Sequence, residues 1–339
     1  MPADHLTPVE TIEAAAAKVM TGTPLADAAV AVGMEPAALD DAIEVYRQAG
    51  RRALDHHTDS SWWQVYIQFT DWDQAEQAAA EHLAPLLLRA EADGVIAAWW
   101  FMRKHPCWRL RLRPGPAGRA MTTEVSAELD QLVAGGHVGR WWPGIYEAET
   151  AAFGDSTGTE IAHDLFCADS RAIVTVLPGT EATLGRRELS LLLCSTLMRA
   201  ANLEWYEQSD VWHRVTQERP LPNSVPAAKV AAMADQVKTL SLTDTAAGGP
   251  LLGVNSPLAS LADWAEAFRQ AGRTLGLAAR EGTLRRGLRE IISYLVIFHW
   301  NRLGLHVRTQ SILASAACAA ILGMPNTPAD ALGSNQHRP

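Results

Sequence analysis

Three arginines, Arg109, Arg111 and Arg113, alternate with apolar residues in the segment WRLRLR at residues 108–113. Because successive side chains of a strand point to opposite faces, one face of this strand is predicted to be apolar and the other to carry three guanidinium groups. These three residues are called the arginine row. Guanidinium groups so close repel one another unless an anion neutralises them, and their planar fork of donors suits carboxylates and phosphates. The row predicts an anion-binding surface; a solvated sheet face is the alternative.

A second polar group follows in residues 144–155, where Tyr146, Glu147 and Glu149 lie close together before a turn at Gly154. Paired carboxylates can do acid–base chemistry, and they can also neutralise cations. Ion pairing between neighbouring strands is the simpler interpretation, and composition favours it. The function of this group therefore stays open between a catalytic and a structural role.

The segment ISYLVIFHWNRL at residues 292–303 is strongly apolar, which predicts a buried helix. Buried polar groups are costly unless they are paired. The spacing of three residues places His299 and Arg302 on one helix face, and a neutral imidazole there could act as a general acid or base. A polar network that joins this helix to the sheet is the alternative. The polar residues of the segment are Ser293, Tyr294, His299, Asn301 and Arg302.

Earlier in the chain, His163 lies at helical spacing from acidic and basic residues, a pattern that is more typical of a structural histidine than of a catalyst. The four cysteines are scattered, with no CxxC pair, which fits reduced thiols and gives no zinc framework. The sequence contains no GxxxxGKS loop, no GxGxxG after a strand, no HExxH and no GxSxG. We therefore expect no nucleotide, metal or other cofactor.

The net charge of −9 argues against general nucleic-acid binding. The beginning of the sequence is polar and acidic, unlike a signal peptide, and no apolar run reaches the length of a membrane span. These features predict a cytoplasmic protein without membrane attachment.

The first part of the chain is predicted to form three short helices at residues 11–20, 24–33 and 35–46, followed by a linker at residues 53–61. Residues 25–45 resemble a helix-turn-helix, but its second helix carries acidic side chains that phosphate would repel. A helical cap that packs or docks a peptide is the better prediction. The acidic residues are Glu35, Asp40, Asp41 and Glu44.

After this cap, alternating and helical patterns predict a β-α-β-β-α-β order between residues 63 and 147, the ferredoxin-like arrangement of an antiparallel sheet with helices on one face. Its strands are predicted at 64–69, 95–104, 108–113 and 138–147, and its helices at 71–92 and 122–133. A mostly helical lobe follows, so the fold class is α+β. Its helices are predicted at 160–177, 186–216, 227–239, 258–279, 284–303 and 308–322.

These patterns divide the chain into four predicted parts: an N-terminal helical extension at 1–55, a sheet lobe at 60–155, a helical lobe at 156–324 and a flexible tail at 325–339. The two lobes together, residues 60–324, are predicted to be the functional domain.

A series of segments between residues 60 and 310 resembles the thiopeptide-type bacteriocin biosynthesis family, which is related to the C-terminal elimination domain of class I lantibiotic dehydratases. The ordered series, rather than any one segment, carries the resemblance. The segments are WWQVYIQF at 62–69, WWFMRKHPCWRLRLR at 99–113, YEAETAAFGD at 146–155, AHDLFCADSRAIV at 162–174, GRRELSLLLCSTLMRAA at 185–201, EQSDVWHRV at 207–215 and FHWNRLGL at 298–305.

The resemblance implies an enzyme that tailors a ribosomally made precursor peptide. In the elimination branch, a partner enzyme glutamylates Ser or Thr, and this domain expels glutamate to leave dehydroalanine or dehydrobutyrine. Arg103 or an arginine of the row matches the family's glutamate-handling arginines, and His299 in FHWNR matches its elimination histidine. We accordingly predict His299, Arg103 and Arg111 as catalytic. The predicted substrate-binding residues are Arg109, Arg113, Lys104, Tyr146, Glu147, Ser293, Tyr294, Asn301, Arg302 and Trp63.

Two other functions stay open. A second branch of the family makes a central pyridine by a formal [4+2] cycloaddition of two dehydroalanines, with loss of water and of the leader peptide. Because that reaction has no glutamate to bind, the presence of the arginine row and His299 favours elimination. Alternatively, the protein could present a precursor peptide to a larger dehydratase without catalysis. The expected partners are the precursor peptide and a separate glutamylating subunit, and a homodimer is also open.

Overall fold

The structure is a computed structural model that describes residues 9–59, 62–180, 184–246 and 248–323. The chain divides into two compact units between residues 61 and 62. The tail predicted at 325–339 lies outside the described residues. No helix within the described ranges is long and apolar enough to cross a membrane.

The first unit consists of three helices, α1 (Val9–Met20), α2 (Leu25–Ala31) and α3 (Pro36–Asp59), as the apolar spacing predicted. They enclose a small core of alanines together with Leu39 and Ile43. The predicted linker at 53–61 is wrong, because α3 continues to Asp59. Gly50 does not end the helix, since the residues that follow it include Arg and Leu, which are good helix formers.

The second unit begins with a four-stranded antiparallel sheet in the order β2-β3-β1-β4. Between β1 and β2 lies a helix that was predicted from residue 71 but begins at Ala75, after a turn in which the Asp71 carboxylate accepts from the Asp73 N–H. Together with the helical lobe, the sheet confirms the α+β class. The elements are β1 (Trp63–Gln68), α4 (Ala75–Ala78), a π-helical turn (Ala79–Leu83), α5 (Ala84–Ala92), β2 (Ile96–Lys104), β3 (Cys107–Pro114), α6 (Met121–Ala134) and β4 (Arg140–Gly144).

Strand β3 lies between β1 and β2, and its register confirms the predicted alternation. Arg111 is paired with Gln64 on β1 and with Trp100 on β2. The apolar residues of β3 are almost fully enclosed on the opposite face, which is the ordinary consequence of burying one side of a sheet. We call the side that carries the arginine row the arginine face.

The helical lobe contains nine α-helices among the described residues. The single helix predicted at 186–216 is wrong: it is two helices, because Asn202 adopts the left-handed conformation (φ 64°) and Glu204 starts a new helix with a capping box. The helices are α7 (Thr150–Phe153), α8 (Ser156–Thr175), α9 (Leu177–Thr180), α10 (Arg186–Ala200), α11 (Trp205–Glu218), α12 (Ala227–Leu242), α13 (Ala262–Arg280), α14 (Leu288–Arg302) and α15 (Val307–Leu322).

Helix α8 joins the two lobes. It packs against the edge strand β2 and against α13 and α14. The backbone N–H of Phe101 donates to the Ser170 hydroxyl at 3.1 Å, so a side chain of α8 satisfies a donor of β2. One helix therefore presents side chains both to the sheet and to the core of the helical lobe.

Candidate functional site

Some of the predicted site residues fall into three separate groups, of which the first surrounds Arg111. Its side chain is only 3% exposed. The guanidinium carbon lies 4.1 Å from the ring centroid of Trp100 and 4.9 Å from that of Tyr146. Atoms Nε and Nη1 are buried and donate to no acceptor among the described residues. Arg111, Trp100, Tyr146 and His163 are together called the Arg111 site.

Burial lowers the pKa of Arg111 to about 10, although Tyr146 and Glu149 counteract it by favouring the charged form. The side chain is therefore still cationic at neutral pH. Aromatic faces stabilise such a cation, but they do not satisfy its N–H donors. An enclosed guanidinium of this kind is suited to accept a carboxylate or another anion.

His163 on α8 completes the Arg111 site. Its Nε2 lies 2.7 Å from the hydroxyl oxygen of Tyr146, and its ring packs 5.1 Å from that of Trp62. Burial, and then the charges of Arg111 and Arg113, lower the pKa of His163 to about 4. The imidazole is consequently neutral at physiological pH.

The other members of the arginine row have different surroundings. Arg109 is half-buried, with its guanidinium 5.7 Å from the ring centroid of Tyr66. Arg113 is exposed and lies over Trp62 at 5.5 Å. The three arginines share one face as predicted, yet Arg111 is the buried member of the row.

The second group lies in the helical lobe around Asp169 of α8. The Asp169 carboxylate accepts from His299 Nδ1 at 2.9 Å, from Arg302 Nε at 2.7 Å and from Trp264 Nε1 at 2.9 Å. We call these four residues the Asp169 network. All of the ionisable side chains in it are fully enclosed.

Burial would raise the pKa of Asp169, but the charges and hydrogen bonds of His299 and Arg302 lower it below its usual value. The carboxylate is therefore ionised and can only accept, so Nδ1 of His299 carries a proton. Nε2 of His299 is buried without a described partner. No described hydrogen bond or ion pair joins His299 to Arg103 or to the arginine row.

The third group lines a cavity of about 860 Å³ at the end of the β2–β3 hairpin. Arg103 Nη1 lies 2.5 Å from Glu76, which also pairs with Arg186 at 2.5 Å. Burial alone would raise the pKa of Glu76, but the charges and hydrogen bonds of Arg186 and Arg103 outweigh burial. The pKa of Glu76 therefore lies below its usual value. Asn301 and Arg103 are the predicted site residues in this lining.

Arg103 corrects one part of the sequence-based picture. It is paired with Trp108, whose side chain points away from the arginine face, and its guanidinium lies 4.7 Å from the Trp108 ring. The sequence did not reveal this difference in orientation, because Arg103 and Arg111 lie on different strands and alternation fixes the relative side-chain direction only within one strand. Arg103 therefore lies on the opposite face of the sheet from Arg109 and Arg111. Gly304, whose Cα lies beside the Arg103 guanidinium, has a φ of 76°, in the left-handed region that favours glycine.

The remaining predicted residues do not join these groups through any described contact. Lys104 and Glu147 are exposed. Ser293 donates to the carbonyl of Glu290 in its own helix. The Tyr294 ring lies 5.1 Å from the guanidinium of Arg286, and Trp63 packs edge-on against Trp141.

Sequence reasoning gave no site role to His163, Asp169, Glu76 or Arg186. For Asp169 a signal exists: it stands three residues after Phe166 on a buried side of α8, where an acidic residue requires a partner. Glu76 and Arg186 are 110 residues apart, and nothing in the sequence indicates that they meet. Within the described part of the chain, no three His, Cys, Asp or Glu side chains are placed to hold a metal ion.

A family model described as "Lantibiotic biosynthesis dehydratase C-term" matches residues 62–321. Because the match covers more than half of the sequence, the chain belongs to this family. The search of curated proteins found no match.

Several solved structures share the fold, including the following three. The tRNA-dependent lantibiotic dehydratase MibB from Microbispora sp. 107891 matches 77% of this chain with a TM-score of 0.55 and 21% identity, but this chain spans only 28% of that protein. TsrL matches 76% of this chain and 94% of its own, with a TM-score of 0.52 and 16% identity. TbtD, a pyridine synthase from thiomuracin biosynthesis, matches 78% and 99%, with a TM-score of 0.51 and 13% identity.

Proposed function

We propose that this protein is an enzyme that tailors a ribosomally made precursor peptide, and that it eliminates glutamate from glutamylated Ser or Thr to give dehydroalanine or dehydrobutyrine. Membership of the dehydratase C-terminal family supports the peptide-tailoring part of the proposal. One observation carries the reaction: Arg111 is an enclosed cation with unpartnered N–H donors, ready to receive a carboxylate.

The elimination breaks the Cα–H bond and the Cβ–O bond of the modified residue, and glutamate departs as a carboxylate. Negative charge grows on the leaving group as the Cβ–O bond breaks. A guanidinium that is fixed beforehand between Trp100 and Tyr146 stabilises this charge more in the transition state than in the ground state. The aromatic walls also exclude water, which strengthens the attraction.

A second candidate is the formal [4+2] cycloaddition of a pyridine synthase. The observation in its favour is the extent of the match with TbtD, which covers 99% of that pyridine synthase. This reaction releases no glutamate and does not require a carboxylate-binding cation, so the Arg111 site favours elimination over it.

The proposal also includes the topology of the sheet lobe, the partners of the protein and its location in the cell. The ferredoxin-like assignment of the sheet lobe is supported by the antiparallel order β2-β3-β1-β4, with helices between β1 and β2 and between β3 and β4. Proposed partners are the precursor peptide and a separate glutamylating enzyme, and the proposed location is the cytoplasm, where such peptides are made.

The test incubates the purified full chain separately with a glutamylated peptide and with an azole peptide that carries dehydroalanines, followed by mass spectrometry. Loss of glutamate from the first peptide is the expected result. A macrocycle and free leader peptide from the second would replace the proposal with pyridine synthesis. No reaction with either, together with peptide binding, would identify a presenting partner.

The variant Arg111→Ala is expected to abolish glutamate release while the fold persists, and His299→Ala tests the predicted elimination histidine in the same assay. Tyr66→Phe is the matched control, because Tyr66 lies on the arginine face and its ring stacks on Trp142. Unchanged release by Arg111→Ala would remove Arg111 from the reaction.

A further inference from the structure

Tyr146 occupies the centre of the Arg111 site. Its ring is bounded by the guanidinium of Arg111 at 4.9 Å, by the Trp100 ring in an edge contact at 5.8 Å and by His163. Its hydroxyl oxygen is 2.7 Å from His163 Nε2. A phenol is thus held by hydrogen bonding to an imidazole and stands beside the cation that would receive the leaving group.

The imidazole is in the protonation state needed to accept a proton. A cationic His163 would have no lone pair, but burial and the two arginines keep the ring neutral at pH 7. The charged and titratable groups that face it among the described residues are Arg111 and Arg113 from β3 and Tyr146, and the rings of Trp62, Trp100 and Phe166 enclose it. Asp164, which follows it on α8, is exposed.

Resting on the elimination proposed above, we infer that Tyr146 is the catalytic proton acceptor of the reaction and that His163 is its positioning residue, taking the phenolic proton. The Cα proton moves to the Tyr146 oxygen while the phenolic proton moves to His163 Nε2. The electron pair of the Cα–H bond forms the Cα=Cβ double bond. The Cβ–O pair leaves with glutamate as a carboxylate, which pairs with Arg111.

Departure of the leaving group strengthens this relay. The charge of Arg111 is one of the causes that depress the basicity of His163. As the Cβ–O bond breaks, the carboxylate that forms beside Arg111 neutralises that charge, so the imidazole becomes a better proton acceptor as the leaving group departs. The same cation therefore couples recognition of the leaving group to removal of the proton.

A purely structural role would have Tyr146 and His163 tie the segment after β4 to α8. Steady-state kinetics of the full chain on a glutamylated peptide separate the two roles. For Tyr146→Phe, which keeps the ring, we expect kcat to fall about 100-fold, the lower end for general acid–base groups, and KM to change less than about threefold. His163→Gln, which keeps a hydrogen-bonding side chain without its basicity, should also lower kcat rather than raise KM.

Tyr66→Phe is the matched control, since it removes a hydroxyl from the same sheet face and should leave kcat unchanged. A wild-type kcat in Tyr146→Phe, with glutamate still released, would overturn this inference alone. Loss of turnover in His299→Gln with full turnover in Tyr146→Phe would assign the proton transfer to His299 instead. A wild-type protein that releases no glutamate would overturn the proposed function, and with it this inference.

A measurement that does not depend on turnover completes the test. NMR titration of His163 in the wild-type protein, with and without free glutamate, should show a pKa that rises when glutamate binds. In Arg111→Met the rise should disappear. A His163 pKa that is insensitive to both glutamate and Arg111 would contradict the coupling, whatever the folding yield of the Tyr146 variant.

Discussion

Two arginines of this protein lie in similar surroundings but have different partners. The Arg302 guanidinium is fully enclosed at 4.2 Å from the Phe166 ring, and Arg111 is enclosed at 4.1 Å from the Trp100 ring. Arg302 donates to Asp169, whereas Arg111 has no ion pair among the described residues. The aromatic contact is thus common to both, and the carboxylate distinguishes them.

This difference in partners indicates different roles for Arg302 and Arg111. In the Asp169 network the charges are already neutralised inside the fold, so removing one of them leaves another unpaired. In the Arg111 site the cost of desolvating the cation is offset only in part by the aromatic rings. This unpaired buried cation is the observation on which the proposed binding of an anion rests.

The largest expected effect is a contrast between two identical substitutions. Arg302→Met leaves the Asp169 carboxylate without its arginine partner, and we expect the free energy of unfolding to fall by about 3–5 kcal/mol. Arg111→Met removes a charge that no carboxylate compensates, so the change should stay within about 1 kcal/mol in either direction. Urea denaturation of the two variants measures both values.

A double variant checks the cause of this contrast. Combining Arg302→Met with Asp169→Asn removes the stranded charge, so part of the lost stability should return. Equal destabilisation by Arg111→Met and Arg302→Met would show that Arg111 also has a structural partner. The proposed difference between the two arginines would then be wrong.

The next effect is the pH dependence that the Arg111 site contributes. The pKa of His163 is about 4 in the folded protein and 6.5 in an unfolded chain, so the unfolded state binds more protons between these values. Stability from this residue is therefore present above about pH 6.5 and is lost as the pH falls towards 4, by about 3 kcal/mol in total.

The His163→Gln variant isolates that contribution from those of other groups. Its unfolding free energy should fall less than that of the wild-type protein between pH 7 and pH 4.5. Parallel curves for the two proteins would mean that the imidazole is not held neutral by burial and by its arginine neighbours.

The sequence predicted the local features of this comparison and missed the long-range ones. The alternation around Arg111 follows from strand geometry, which depends only on neighbouring residues, and the register confirmed it. The sequence also predicted that the helix of His299 and Arg302 is buried. It could not show that His299 meets Asp169, because 130 residues separate them and the contact depends on how α8 and α14 pack.

A smaller effect should appear when an anion is added. Glutamate at ten times its dissociation constant should stabilise the wild-type protein by about 1.4 kcal/mol if it binds only the folded state. Arg111→Met should lose this stabilisation, whereas Arg89→Gln, an exposed arginine paired with Glu128, should keep it. Thermal unfolding with and without glutamate gives the comparison, and equal shifts in wild type and Arg111→Met would place the anion elsewhere.

The smallest effect is expected within the arginine row itself. Arg113 lies in solvent on the same face as Arg111, where water and salt screen its charge. Arg113→Gln should therefore change the kcat for glutamate release less than about threefold, and this change in kcat should grow as the ionic strength falls. A loss as large as that of Arg111→Ala would mean that the row acts as one surface. In that case, burial would not distinguish the function of Arg111 from that of Arg113.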